Sequence, residues 1–302
     1  MKIGFFDDWT LGVVKNDTHI VDVSEVLEGV HAHGPQELIT LVIENWDQVK
    51  DAFQNLANVS EGKPLSEVKI RPPVPRPDKI VCMAVNYLEY GQRPMPHIDA
   101  FLKDSDCVIG DGDTIILDTE APASIFHHEA ELAVIIGKDI EEKVSQADAM
   151  DHVFGYTGFI DVSGRNIGPE GKTSFFQVKS WRTFGPMGPF IITKDEVPDP
   201  QNVDLGISNN GEARQTFNTS DMAHKIPECI EFASRRFPMH AGDIISTGTN
   251  HQGLGSIQDG DVLTLDVGGI GKMTLNVKDS LKREWQRGVD EEMAARARNA
   301  TI

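Results

Sequence analysis

The apolar positions of this chain recur with two different periods, and the change between them divides the sequence. Residues 2–6, 11–14 and 19–22 form short apolar or alternating runs bounded by turn-forming residues, a pattern that predicts three strands. Leu38, Leu41, Val42, Trp46, Val49 and Phe53 then recur at helical spacing and predict one helical stretch. Residues 1–70 therefore read as a small α+β N-terminal domain. The segment Arg71-Pro72-Pro73-Val74-Pro75-Arg76-Pro77 removes backbone donors and enforces extended chain, so 71–77 reads as a linker.

Residues 78–288 are dominated by short apolar runs separated by Gly, Asp and Pro, at 114–117, 132–136, 190–193, 243–247 and 262–267, which predicts a mostly β domain. A helix is expected within 222–237, where Ile226, Ile230, Phe232 and Ala233 supply a partly apolar face, and 289–302 reads as a polar C-terminal tail with helical character. The expected fold class is a mixed, β-rich α+β protein.

Charge narrows the function. Lys plus Arg number 28 against 47 Asp plus Glu, a net charge of −19. This disfavours nucleic acid and membrane surfaces as partners, since both are polyanionic, but leaves small anions open. The start of the chain lacks the apolar core of a signal peptide and no run is long enough to span a bilayer, which reads as a cytoplasmic protein. Cys82, Cys107 and Cys229 are odd in number and show no Cys-x-x-Cys spacing, so neither a disulfide framework nor a thiolate metal site is expected.

The most informative segment is His127-His128-Glu129-Ala130-Glu131-Leu132-Ala133-Val134-Ile135-Ile136-Gly137-Lys138, which reads as a strand entering a core. Side chains alternate along a strand, so Glu129 and Glu131 point the same way, about 7 Å apart at ~3.3 Å per residue. If buried, two such carboxylates need protonation, a basic partner or a hard cation; if exposed, they are a solvated strand end. A third acid, Asp161, sits between an apolar run and a turn in Phe159-Ile160-Asp161-Val162-Ser163-Gly164-Arg165, where it either caps the turn or joins the pair. Three carboxylates would suit Mg²⁺ or Mn²⁺, which favour octahedral oxygen ligation.

At these residues the sequence resembles the fumarylacetoacetate hydrolase family. Glu129 to Lys138 is similar to its metal-binding strand, and Asp161-Val162-Ser163-Gly164-Arg165 to its Asp-Val-Ser-Ala-Arg motif. Asn86-Tyr87, Lys179-Ser180-Trp181-Arg182-Thr183-Phe184-Gly185-Pro186-Met187-Gly188-Pro189 and Ser246-Thr247-Gly248-Thr249 follow in the family's order. The resemblance implies a pseudo-barrel-like catalytic domain, commonly a homodimer, with Glu129, Glu131 and Asp161 holding Mg²⁺ or Mn²⁺. It further implies Lys179 as the oxyanion contact and Tyr87, Arg165, Gly248 and Thr249 as substrate-binding positions for an oxo acid.

One family feature is replaced. Members that cleave C–C bonds often carry Asn-Tyr-x-x-His-x-x-Glu, whose His and Glu activate water, whereas here Tyr90 and Arg93 stand at those two places. Tyrosine, with an ordinary pKa near ~10, is a poor base at neutral pH. Substitutes nearby are Glu89, His97, His127, His128 and His251, and His251 is favoured because it shares a lengthened loop with Thr249. The family's substrate glutamine is also absent, with Gly168 near its place. The leading expectation is a metal-dependent hydrolase of an acylpyruvate or related β-diketo acid. A lyase or isomerase of a 2-oxo acid is the alternative, and a catalytically silent metal-binding member is a third.

Overall fold

The computed structural model describes residues 1–117, 123–167 and 174–299. Ala130–Ile136 is buried at every position, and its side chains serve two cores in alternation. Leu132, Val134 and Ile136 enter one cluster with Leu205, Leu263 and Leu275, while Ala133 and Ile135 enter another with Phe5, Phe53 and Ile191. A strand covered on both faces reads as a continuous apolar run, which is why this segment dominates the sequence pattern.

Around it runs a long mixed sheet in the order Lys63–Pro64, His19–Asp22, Thr10–Lys15, Lys2–Phe6, Gly185–Thr193, Val153–Ile160, Ala130–Ile136, Ile244–Ser246, Ile80–Ala84 and Asp99–Lys103. A second sheet, Glu212–Asn218, Asp204–Asn209, Val262–Val267, Gly271–Lys278 and Thr114–Ile116, closes the first core from its other side. Ser163–Arg165 pairs with Ile125–His127 in a two-stranded ribbon beside the site. The β-rich α+β character expected from the sequence is the observed one.

Three details differ from the sequence pattern. The helical stretch over 38–53 is two helices, Pro35–Glu44 and Trp46–Val59, parted at Asn45, whose side-chain amide donates to the Leu41 carbonyl at 2.9 Å and so competes with the backbone. The N-terminal strands are sutured into the main sheet: Lys2–Phe6 pairs antiparallel with Gly185–Thr193, with Lys2 opposite Ile192 and Ile3 opposite Ile191. The proline segment is packed against the body, with Pro72, Pro73 and Val74 buried, so it is no free spacer.

The expected helix near 222–237 is Ile226–Ser234, with Pro227 in its first turn where a missing N–H costs nothing. The tail forms Glu291–Asn299, docked through Ala294 and Ala297. All three cysteines are buried and free. Among the described residues no helix is long and apolar enough to cross a membrane.

Candidate active site

Strand register assembles the carboxylates. Ala130 lies opposite Ile160, so the next residue on one side and the preceding one on the other, Asp161 and Glu129, also meet: the Asp161 N–H donates to the Glu129 carbonyl at 2.9 Å. Glu131 follows within the strand. All three are buried, and their ligand oxygens lie within 4.8 Å of one another. Burial excludes the solvated strand end that the Glu-x-Glu pattern also allowed.

Buried carboxylates this close need counter-charge. Lys179 Nζ donates to Glu129 Oε2 at 2.6 Å and to Asp161 Oδ2 at 2.7 Å, and Lys103 Nζ donates to Asp161 Oδ1 at 2.6 Å. Arg165 Nη2 donates to Glu129 Oε1, while its Nε reaches His127 Nδ1 at 3.1 Å. Burial by itself would raise the Glu129 pKa, but Lys179 and Arg165 more than offset it and hold the carboxyl well below the usual range. Burial likewise opposes charge on Lys179, yet Asp161 and Glu129 raise its pKa and keep it an ammonium.

Glu131 is different. It accepts from the Ser246 hydroxyl and, at 2.9 Å, from the Gly248 N–H, but among the described residues no Lys or Arg contacts it. Burial, then Asp161 and Glu129, push its proton affinity up. Three converging oxygens, one of them without a basic partner, fit a hard divalent cation such as Mg²⁺ or Mn²⁺.

The turn after Ile244–Ser246 brings the other expected residues in. Gly248 takes φ +83, and a side chain there would meet the Met83 carbonyl and Asn86, so glycine lets the backbone donate to Glu131. Thr249 Oγ1 accepts from Gln215 Nε2 at 2.8 Å. Gln215 Oε1 faces His128 Nδ1 at 3.0 Å and accepts from the Ala130 N–H at 3.1 Å, tying the threonine loop to the metal strand. Tyr87 is wholly buried, its ring edge-on to Phe217.

Two of the expected substitutes for the missing dyad, Glu89 and His251, meet each other. His251 Nδ1 lies 2.7 Å from Glu89 Oε1, the His251 N–H donates to the same carboxylate, and Gln252 Nε2 donates to Glu89 Oε2 at 2.7 Å. Burial would raise the Glu89 pKa, but the hydrogen bonds from His251 and Gln252 prevail and hold it low. His251 follows three residues after Gly248, whose N–H donates to Glu131, so one loop carries both to the carboxylate cluster. Glu89 and Tyr90 both adopt left-handed backbone, at φ +53 and +59, a conformation that costs side-chain-bearing residues energy and here turns Glu89 inward. Asp221 anchors that turn, accepting from the Tyr90 N–H and from Asn250 Nδ2.

Tyr90 itself faces away, donating its hydroxyl to the Thr216 carbonyl at 2.6 Å, and His97 is exposed. His127 is spent between Arg165 and Asp290, and burial lowers its pKa and that of His128, the latter to about 4. Gly168 lies outside the described residues. The sequence pattern missed Lys103, Gln215 and Asp221; Lys103 ends the strand Asp99–Lys103 as its one buried residue, which no local pattern marks.

The model for the fumarylacetoacetate (FAA) hydrolase C-terminal family matches residues 79–278. A maleylpyruvate hydrolase of Aquipseudomonas alcaligenes is 30% identical over 295 residues, spanning 92% of this chain and 99% of that protein. The oxaloacetate tautomerase YisK of Bacillus subtilis (strain 168) is 38% identical over 224 residues, 70% of this chain and 73% of that protein. The crystal structure of maleylpyruvate hydrolase from Sphingobium sp. SYK-6 in complex with manganese(II) ion and pyruvate superposes with a TM-score of 0.82 at 33% identity, covering 92% of this chain and 99% of that one.

Proposed function

The chain belongs to the fumarylacetoacetate hydrolase family, and from that premise we propose that it hydrolyses the C–C bond between the two carbonyls of an acylpyruvate or related β-diketo acid. The observation that carries this reading is the Glu89–His251 pair at 2.7 Å, with His251 on the loop whose Gly248 N–H donates to Glu131 of the buried Glu129, Glu131 and Asp161 cluster. It supplies a water-activating pair where the family's usual positions hold Tyr90 and Arg93.

Glu129, Glu131 and Asp161 would hold Mg²⁺ or Mn²⁺, which when bound acts as Lewis acid and template for a chelating 2-oxo acid. Glu89, kept ionised, fixes His251 with Nδ1 toward itself and Nε2 free to take a proton from water. The water oxygen bonds to the acyl carbonyl carbon, the C–C bond to the pyruvate fragment breaks, and its electron pair becomes the enolate of pyruvate. The Lys179 ammonium bears on the enolate oxygen, and His251 returns its proton to the enolate carbon, leaving a carboxylic acid and pyruvate. Thr249 and the Gly248 turn border the substrate, and Arg165 steadies Glu129.

A tautomerase reading is favoured by one observation, the similarity to an oxaloacetate tautomerase over 224 residues. The two separate in one assay. Metal-loaded enzyme is given acetylpyruvate and succinylpyruvate while pyruvate release is followed, and in parallel given oxaloacetate while keto–enol exchange is followed. Pyruvate release supports the hydrolase; accelerated exchange without any pyruvate release overturns it. The proposed working state is a cytoplasmic homodimer, and sedimentation at the 33.3 kDa monomer mass alone would overturn the dimer.

A further inference from the structure

Arg93 is buried, at 5% exposure, and among the described residues neither its Nε nor its Nη1 has a hydrogen-bond partner. A guanidinium does not deprotonate to escape burial, so an unpaired one is costly unless an anion joins it. Glu89, four residues before it, bears on it electrostatically but does not pair with it, its two oxygens being already taken by His251 and Gln252. The Arg93 backbone N–H closes the same turn that presents Glu89, donating to the Leu88 carbonyl at 3.0 Å. Arg93 is therefore held in the turn that carries Glu89, with its Nε and Nη1 donors unspent.

We propose that Arg93 binds a second carboxylate of the substrate, at the far end of its acyl arm, and so selects dicarboxylic acylpyruvates over those ending in an alkyl group. This rests on the hydrolase reading, in which the acyl carbonyl lies at His251 and the acyl arm extends from it toward the turn carrying Arg93. A planar guanidinium with two donors on one edge matches a carboxylate fork, and a site built to pair a substrate charge discriminates strongly against an analogue lacking it. Because the free protein buries this charge unpaired, replacing it with an apolar side chain of similar length removes a cost, so stability is expected to hold.

The test uses the metal-loaded full chain and Arg93→Met. With succinylpyruvate the variant is expected to lose at least about 30-fold in kcat/KM, chiefly through KM, the loss typical of truncating one partner of a buried charge pair. With acetylpyruvate it is expected to stay within about threefold of wild type, and its melting temperature to be no lower. Equal losses on both substrates would show a merely structural arginine and overturn the proposal, as would no loss on either. Calorimetry with succinate and butyrate gives a readout independent of turnover: wild type should bind succinate more tightly and Arg93→Met should bind the two alike. If wild type cleaves neither acylpyruvate yet shows this difference, the hydrolase reading fails while the carboxylate site stands; equal affinities in wild type overturn the site.

Discussion

Glu89 Oε1 and His251 Nδ1 lie 2.7 Å apart although 162 positions separate the residues along the chain. One comes from the turn after Ile80–Ala84 and the other from the loop after Ile244–Ser246, and these two strands are parallel neighbours. Parallel pairing delivers both loops to the same end of the sheet, so the pair is set by topology rather than by any local motif.

If that pair moves the proton, His251→Ala should lower turnover by about 100-fold or more and Glu89→Gln by at least about tenfold. The double variant should be little worse than His251→Ala, since residues acting as a unit are not additive. Tyr90→Phe should keep most activity. Turnover measured on one verified substrate for the four proteins checks this, and abolition by Tyr90→Phe alone would return the role to Tyr90.

Titration calorimetry with Mn²⁺ should give one ion per chain, and Glu131→Ala should weaken it by more than about 100-fold, beyond the ~10–100-fold range common for residues that only support a ligand. A chelator should remove activity and Mn²⁺ restore it. Unchanged binding in Glu131→Ala would mean the ion sits elsewhere.

Lys179→Met should reduce turnover by about 100-fold or more, the usual effect of deleting one oxyanion-stabilising group. Deletion also leaves Glu129 and Asp161 with one basic partner fewer, so affinity for Mn²⁺ is expected to rise or hold while turnover falls. A parallel loss of metal affinity would assign Lys179 to the metal site instead.

Gly253 should tolerate no side chain. It sits two residues after His251 at φ +92, and an added Cβ would collide with the Arg214 carbonyl oxygen. Gly211→Ala is a fair control, because its φ of +81 carries the same backbone penalty, about 1–3 kcal/mol, with nothing within 4 Å. Gly253→Ala is expected to melt lower than Gly211→Ala and to lose turnover; equal behaviour of the two would show that the loop absorbs the clash.

Much of this was legible in the sequence because it is local. Short apolar runs marked the strands, and the acids at 129, 131 and 161 stood out because each interrupts or borders an apolar run. Partner choice was not legible. Nothing near Lys2–Phe6 says that it pairs with Gly185–Thr193, and nothing near Gln215 says that it bridges His128 to Thr249, since both depend on pairings between distant segments. Glu89 was visible as one of several possible substitutes, but its inward turn depends on left-handed backbone held by Asp221 from another part of the fold.

The seam between Lys2–Phe6 and Gly185–Thr193 bears on how this protein avoids self-association. Gly185–Thr193 is nine residues long and buried throughout; the N-terminal strand pairs with its Ile191–Ile192 end, while Val108–Ile109 pairs with its Gly185–Pro186 end. Without that strand, the apolar Ile191–Ile192 end would offer unpaired N–H and C=O groups to the next molecule, the geometry that templates edge-to-edge growth. The N-terminal strands thus act as a sheath: excised to residues 79–278, this chain is expected to aggregate, as light scattering of the isolated segment would register.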